Sequence, residues 1–134
     1  MSKENVDLTR SFVDAWNRSD IDALVALLSP DVVWEENPEF PGLREVYRGR
    51  GEVREWAEDI LEAWESSHAE LEEMTQLSDD RVLTEAVIKG RGKGGGVPVE
   101  LRFWLILWFV AGKIKRRQVF WVREEALEAA GLGE

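Results

Sequence analysis

The sequence predicts an α+β fold in which helices come first and an antiparallel sheet follows. Three observations predict it. Apolar residues recur at three- and four-residue steps up to about residue 64 and alternate with polar ones beyond it. Short turn signals separate the later segments, so consecutive strands pair antiparallel. A chain of 134 residues without cysteine fits one domain, 1–134, with a packed core and no disulfide framework.

The elements follow in order. Val6, Thr9, Phe12, Val13 and Trp16 mark an amphipathic helix over about Lys3–Arg18. Ser19 or Asp20 caps a second helix carrying Ile21, Leu24, Val25, Leu27 and Leu28, which ends at Ser29-Pro30-Asp31. Val32–Glu36 reads as a short strand, Asn37–Gly42 as a loop and Tyr47–Gly51 as a turn. A third helix starts at Glu52, with Val53, Trp56, Ala57, Ile60, Leu61 and Trp64 inward and Glu55, Glu58, Asp59, Glu62 and Glu65 in water. Four strands are expected at about 68–77, 81–91, 97–110 and 113–122, then a short helix over 124–130 stopped by Gly131.

Composition narrows the chemistry. The net charge of -10 argues against nucleic acid and anionic membranes. One histidine and no cysteine remove multi-His and thiolate metal sites and cysteine nucleophiles, so neither a metal nor a cofactor is expected. The N-terminus has no signal-peptide pattern, and the longest apolar run, Phe103–Ala111, is far short of the roughly 20 residues of a membrane span. A soluble, cytoplasmic protein is the expectation. Residues 1–80 carry a net charge of -14 and residues 81–134 one of +4. The split reads as a solvated acidic helical surface, or as a sheet whose arginines attract an anionic small molecule.

Gly90-x-Gly92-x-x-Gly95 formally matches a dinucleotide fingerprint, but it leads into another strand and reads as a hairpin tip. His68 reads as incidental. Lys115-Arg116-Arg117 lies in a strand, where alternation sends the two arginines to opposite faces.

A bent sheet wrapped by helices encloses a cone. The first strand alternates Val32, Trp34 and Glu36 against Val33, Glu35 and Asn37, so a carboxylate comes with either face. The long strand sets Arg102, Trp104, Ile106 and Trp108, the presumed concave set, against its odd-numbered residues. The last strand sets Lys115, Arg117, Val119 and Trp121 against Arg116, Gln118, Phe120 and Val122. The opposite set of the long strand, Leu101, Phe103, Leu105, Leu107 and Phe109, is apolar enough to need a partner or helices over it. Trp16, Trp56 and Trp64 read as helix core. Trp34, Trp104 and Trp121 either line the cone or fill it, and Trp108 is left between cavity and interface.

The runs FVDAWNRSDIDALVALLSPDVVWEE, YRGRGEVREWAEDI, GKIKRRQVFWV and REEALEAAGL resemble the SnoaL-like, ketosteroid-isomerase-like branch of the nuclear-transport-factor-like superfamily. The resemblance implies a curved antiparallel sheet wrapped by three helices around a conical apolar pocket, a cystatin-like α+β barrel roll. It implies a small-molecule-binding domain for an apolar or polycyclic ligand, and a homodimer. Glu36 falls where ketosteroid isomerases carry their general base, so the catalytic option is cofactor-free proton transfer on a ketone-like substrate. The implied ligand set is Phe12, Trp16, Trp34, Arg102, Trp104, Arg117, Val119 and Trp121. The family's oxyanion-hole tyrosine falls at Phe12 and its protonated aspartate near Trp104, so those donors are missing. The strand Lys113–Val122 has no acid, which departs from the epoxide hydrolase and cyclase patterns. Two alternatives stay open: Glu36 as a structural carboxylate paired with Arg102 or Arg117, and a non-catalytic binding or dimerisation module with a Trp-filled cone.

Overall fold

The computed structural model describes residues 3–36, 43–94 and 96–132. The expected loop at 37–42 and Gly95 lie outside them.

Helix α1 (Lys3–Asn17) and the short α2 (Ile21–Ala26) come first. The Asp20 side chain caps α2 by accepting the Ala23 N–H at 3.0 Å. The helix stops at Ala26, earlier than its apolar pattern suggests. Leu28 instead opens strand β1 (Leu28–Glu35), because the Leu27 carbonyl and Leu28 are drawn into pairing with Ile114. A short strand β2 (Val46–Arg48) then pairs antiparallel with β1 where the sequence reads as a turn. Helix α3 (Gly49–Ala63) begins three residues before Glu52. Strands β3 (Trp64–Ser78), β4 (Arg81–Gly92), β5 (Pro98–Val110) and β6 (Lys113–Phe120) form the meander, and α4 (Arg123–Ala129) follows. Trp64 therefore belongs to a strand rather than to the third helix.

The sheet is six-stranded, curved and unclosed, in the order β2-β1-β6-β5-β4-β3. Its meander is antiparallel, as short turns require. The β1–β6 pair is parallel. Most of the chain separates these two strands, so no hairpin dictates their direction.

Helices α1 and α3 pack on the concave face, and α4 packs on the convex one. The main core gathers Phe12, Trp16, Leu24, Val32, Trp34, Val53, Trp56, Leu107, Phe109 and Ile114. A smaller core sets Ala126 and Ala130 of α4 against Leu83 and Ile106, flanked by Trp104, Trp108 and Phe120. Two asparagines fix α1 along β3. Asn5 Nδ2 donates to the Asp79 carbonyl at 2.9 Å. Asn17 exchanges two hydrogen bonds with the Ala69 backbone, at 2.9 and 2.7 Å. Among the described residues no helix is long and apolar enough to cross a membrane.

The β5–β6 turn places Ala111 at φ 47° and Gly112 at φ 74°, the two positive angles of a type I′ hairpin. An alanine in this region carries strain of about 1–2 kcal/mol. Ala111→Asn, which meets the turn's preference, is expected to stabilise the fold by about 0.5–1 kcal/mol. Thermal unfolding measures this, and an unchanged or lower Tm would refute the strain.

Candidate functional site

The concave face, α1 and α3 enclose a cavity of about 690 Å³. Cross-strand register decides which side chains reach it. Opposed residues of an antiparallel pair share a face. Leu107 stands opposite Arg117 and Leu105 opposite Val119. Leu101, Phe103 and Leu105 therefore face the cavity together with Arg117 and Val119. This reverses the expected faces of the long strand. Both are apolar, so composition could not choose between them. A bulge at Lys115 adds the decisive step, since Ile114 pairs with Phe109 while Arg116 pairs with Trp108. Across it the parity of β6 switches, and Ile114 and Arg117 are both buried on the inner side.

Six expected site residues, Phe12, Trp16, Glu36, Arg117, Val119 and Trp121, line the cavity. Trp34 is fully buried behind the wall, in edge contact with Phe12 at 5.4 Å and Trp56 at 5.2 Å. Arg102 and Trp104 lie on the convex face. Arg102 bonds Glu85 and Glu72. The hydrogen bond to Glu85 raises its pKa, burial opposes this, and the charges of Glu85 and Glu72 add to the rise. Trp104 packs under α4, and Trp108 shares the convex face, with Arg116 over its ring at 4.5 Å. The apolar face expected to need a partner is thus the cavity wall itself, and it supplies no argument for a second copy.

Register also orders the cavity by depth. Arg117 and Glu36 sit at the inner end beside Trp56. Phe103 and Trp121, with ring centroids 5.4 Å apart, form the middle. Val99, Gly92, Ala63 and Trp64 form the rim. Trp64 reaches its place because Gly90 has no side chain. A Cβ there would stand 2.7 Å from the indole ring and 2.2 Å from the Ser66 carbonyl oxygen. Of the formal glycine motif, Gly90 and Gly92 are thus strand positions, and Gly90 serves a close approach.

Arg117 Nη1 donates to Glu36 Oε1 at 2.6 Å, with side-chain exposures of 7% and 5%. The guanidinium lies against the rings of both Trp34 and Trp56, 4.8 and 5.0 Å from their centroids. Arg117 Nε and the indole N–H groups of Trp16, Trp34 and Trp56 are buried without an acceptor among the described residues. Ring faces of this aromatic cluster are the weak acceptors available there.

Several wall residues escape the sequence argument, Trp64 and Asp59 among them. The apolar stripe of the third helix places Trp64 in its core. Asp59 belongs to the wet face by composition, yet it follows Trp56 by three residues on α3 and precedes Ile60 and Ala63, and all four line the cavity. The i, i+3, i+4, i+7 spacing from Trp56 was the available signal. His68 is exposed beside Glu70, at 3.8 Å. Among the described residues no group of three His, Cys, Asp or Glu could hold a metal ion.

A curved sheet with helices over its concave face and a cavity between them is the nuclear-transport-factor-like fold. Residues 9–117 match the SnoaL-like domain, and the chain belongs to that family. No curated protein matches it. Among solved structures, TerC co-crystallised with polyporic acid is similar at TM-score 0.80 and 17% identity, over 96% of this chain and 99% of that one. An NTF2-like protein of unknown function from Burkholderia pseudomallei K96243 is similar at 0.81 and 21%, over 96% and 97%. A Mycobacterium tuberculosis protein in complex with estradiol-17beta-hemisuccinate is similar at 0.79 and 19%, over 91% and 96%. At these identities the likeness shows the fold.

Arg117→Met leaves the Glu36 carboxylate buried without its cation, with an expected loss of about 3–5 kcal/mol. The double variant Glu36→Leu/Arg117→Met is expected to recover most of it, since a well-packed apolar pair replaces buried ions at little cost. Chemical denaturation reads both. A single-variant loss under about 1 kcal/mol, the range of surface pairs, would contradict a dry ion pair.

Proposed function

We propose that this SnoaL-like domain holds a flat or polycyclic apolar molecule in its cone. The observation that carries the reading is a cavity of about 690 Å³ walled by Phe12, Trp16, Trp56, Trp64, Phe103 and Trp121. Ligand pockets run to roughly 300–1,000 Å³ and are mostly apolar with a few polar groups. This cavity has that make-up, with Glu36, Asp59 and Arg117 as its charged groups among the described residues. The ligands held by TerC and by the Mycobacterium tuberculosis protein support the same reading. A Trp-filled cone would leave no space of this size. Progesterone is expected to quench the tryptophan fluorescence saturably, and Trp121→Ala to weaken that binding with little change in Tm. Failure of both progesterone and naphthol to quench would overturn the reading.

A second reading, cofactor-free proton transfer, is favoured by one observation. The Glu36 carboxylate lies in the cavity wall, level with Val119 and among apolar and aromatic side chains. A base must reach the proton that it abstracts, and this position meets that requirement. The enolate donors are the weak part. Phe12 has no hydroxyl, Trp104 faces away, and the N–H groups around Arg117 are sealed in the wall. Glu36→Gln keeps an acceptor for Arg117 and removes the base. It is expected to abolish solvent-deuterium exchange into a bound ketone while leaving affinity nearly intact, and unchanged exchange would end the catalytic reading.

A further inference from the structure

The charges around the cavity are arranged for one sign of ligand. Arg117 is the positive side chain among the described wall residues, and Glu36 neutralises it at 2.6 Å. Arg102 and Arg116 on the convex face are paired as well, Arg102 with Glu85 and Glu72, and Arg116 with Glu35. No guanidinium of this set is left for an anionic ligand. The described wall holds two carboxylates and one guanidinium, a formal charge of -1. Asp59 supplies the excess, and it makes no ion pair among the described residues. It is exposed, one helical turn beyond Trp56 toward the rim.

A second observation points the same way. The last turns of α1 and α3 both come to the cavity, through Trp16 and Ala63. Each helix is 15 residues long, and neither has a basic residue in its last turn. A helix C-terminus carries about half a negative charge, which a Lys or Arg ordinarily offsets. Lys93 comes to this rim from the β4–β5 hairpin, where its backbone N–H donates to the Ala63 carbonyl at 3.3 Å. Its side chain is exposed and is not part of the wall. The walls complete the pattern, because tryptophan faces attract cations through the ring quadrupole.

We propose that the molecule held here is an organic cation: a ring system with a protonated amine, its rings in the cone and its ammonium group at the rim against Asp59 and Trp64. This specifies the small-molecule reading above and rests on it. Three probes of matched shape, naphthol, naphthoate and naphthylmethylammonium, separate the two by titration calorimetry at neutral pH and low salt. The expected order of affinity is ammonium, then naphthol, then naphthoate. Asp59→Asn is expected to weaken the ammonium about two- to fivefold, the range of a partly exposed charge pair, and to leave naphthol unchanged. Naphthoate binding more tightly than the ammonium, or an ammonium affinity unmoved by Asp59→Asn at unchanged Tm, would overturn the cation assignment alone. If none of the three binds, the small-molecule reading falls with it.

Discussion

The tight turn at Ala111–Gly112 and the bulge at Lys115 set the parity of the side chains that β5 and β6 present to the cavity. The turn pairs Val110 with Lys113, and the bulge then spends one extra residue of β6. From there Leu107 meets Arg117 and Leu105 meets Val119, with all four on the inner side. A one-residue slip would turn Arg102, Trp104 and Trp108 inward and present the ion pairs of the convex face to the core. Burying those charges beside apolar helices would cost several kcal/mol per ion, so the observed register is strongly favoured. The cavity is a consequence of this pairing as much as of the helices that cover it.

The inner end of the cavity is polar in content yet shielded from water. A guanidinium stands against two indoles, one of its nitrogens on a carboxylate and another without an oxygen acceptor. Each buried unpaired donor costs about 1–3 kcal/mol. Phe12, Trp16, Trp34 and Trp56 offset that cost by packing against one another at 5.2–5.4 Å, two of the three ring pairs edge against face. Such a cluster has few ways to rearrange, because moving one ring opens a gap beside the next. The deep end is accordingly rigid wall, and the chemistry open to a visitor lies at Glu36 and toward the rim.

Much of the fold was legible in the residues. Helical spacing marked α1 and α3, Asp20 announced the start of α2, and turn residues divided the meander. Alternation separates the two faces of the first and last strands without ranking them, and the family resemblance selects the face with Trp34 and Glu36, which lies on the inner side together with Arg117 and Val119. The long strand defeated the same method. Arg102 and Trp104 sit on one face and Phe103 and Leu105 on the other, and hydrophobicity does not rank them. Register decides, and register depends on a bulge with no sequence signature of its own. Trp64 was misplaced because the apolar period of α3 runs on past Ala63. The chain leaves the helix there because Gly92 and Gly90 offer a strand to pair with.

The unclosed sheet leaves β3 as a long outer strand, 15 residues with β4 on one side. A row of unpaired amides of that length is a template on which further chains can add, the first step toward fibrous aggregation. Here the template is spoiled in three ways. Register irregularities interrupt it between Trp64 and Ser66, Leu71 and Met74, and Gln76 and Ser78. Glu65, Glu70, Glu72 and Glu73 put like charges along it. Asn17 occupies both backbone groups of Ala69 with a side-chain amide, so a helix end stands where an intruding strand would begin to zip. The contact that seats α1 over the cavity thus also guards the border of the sheet against its own copies.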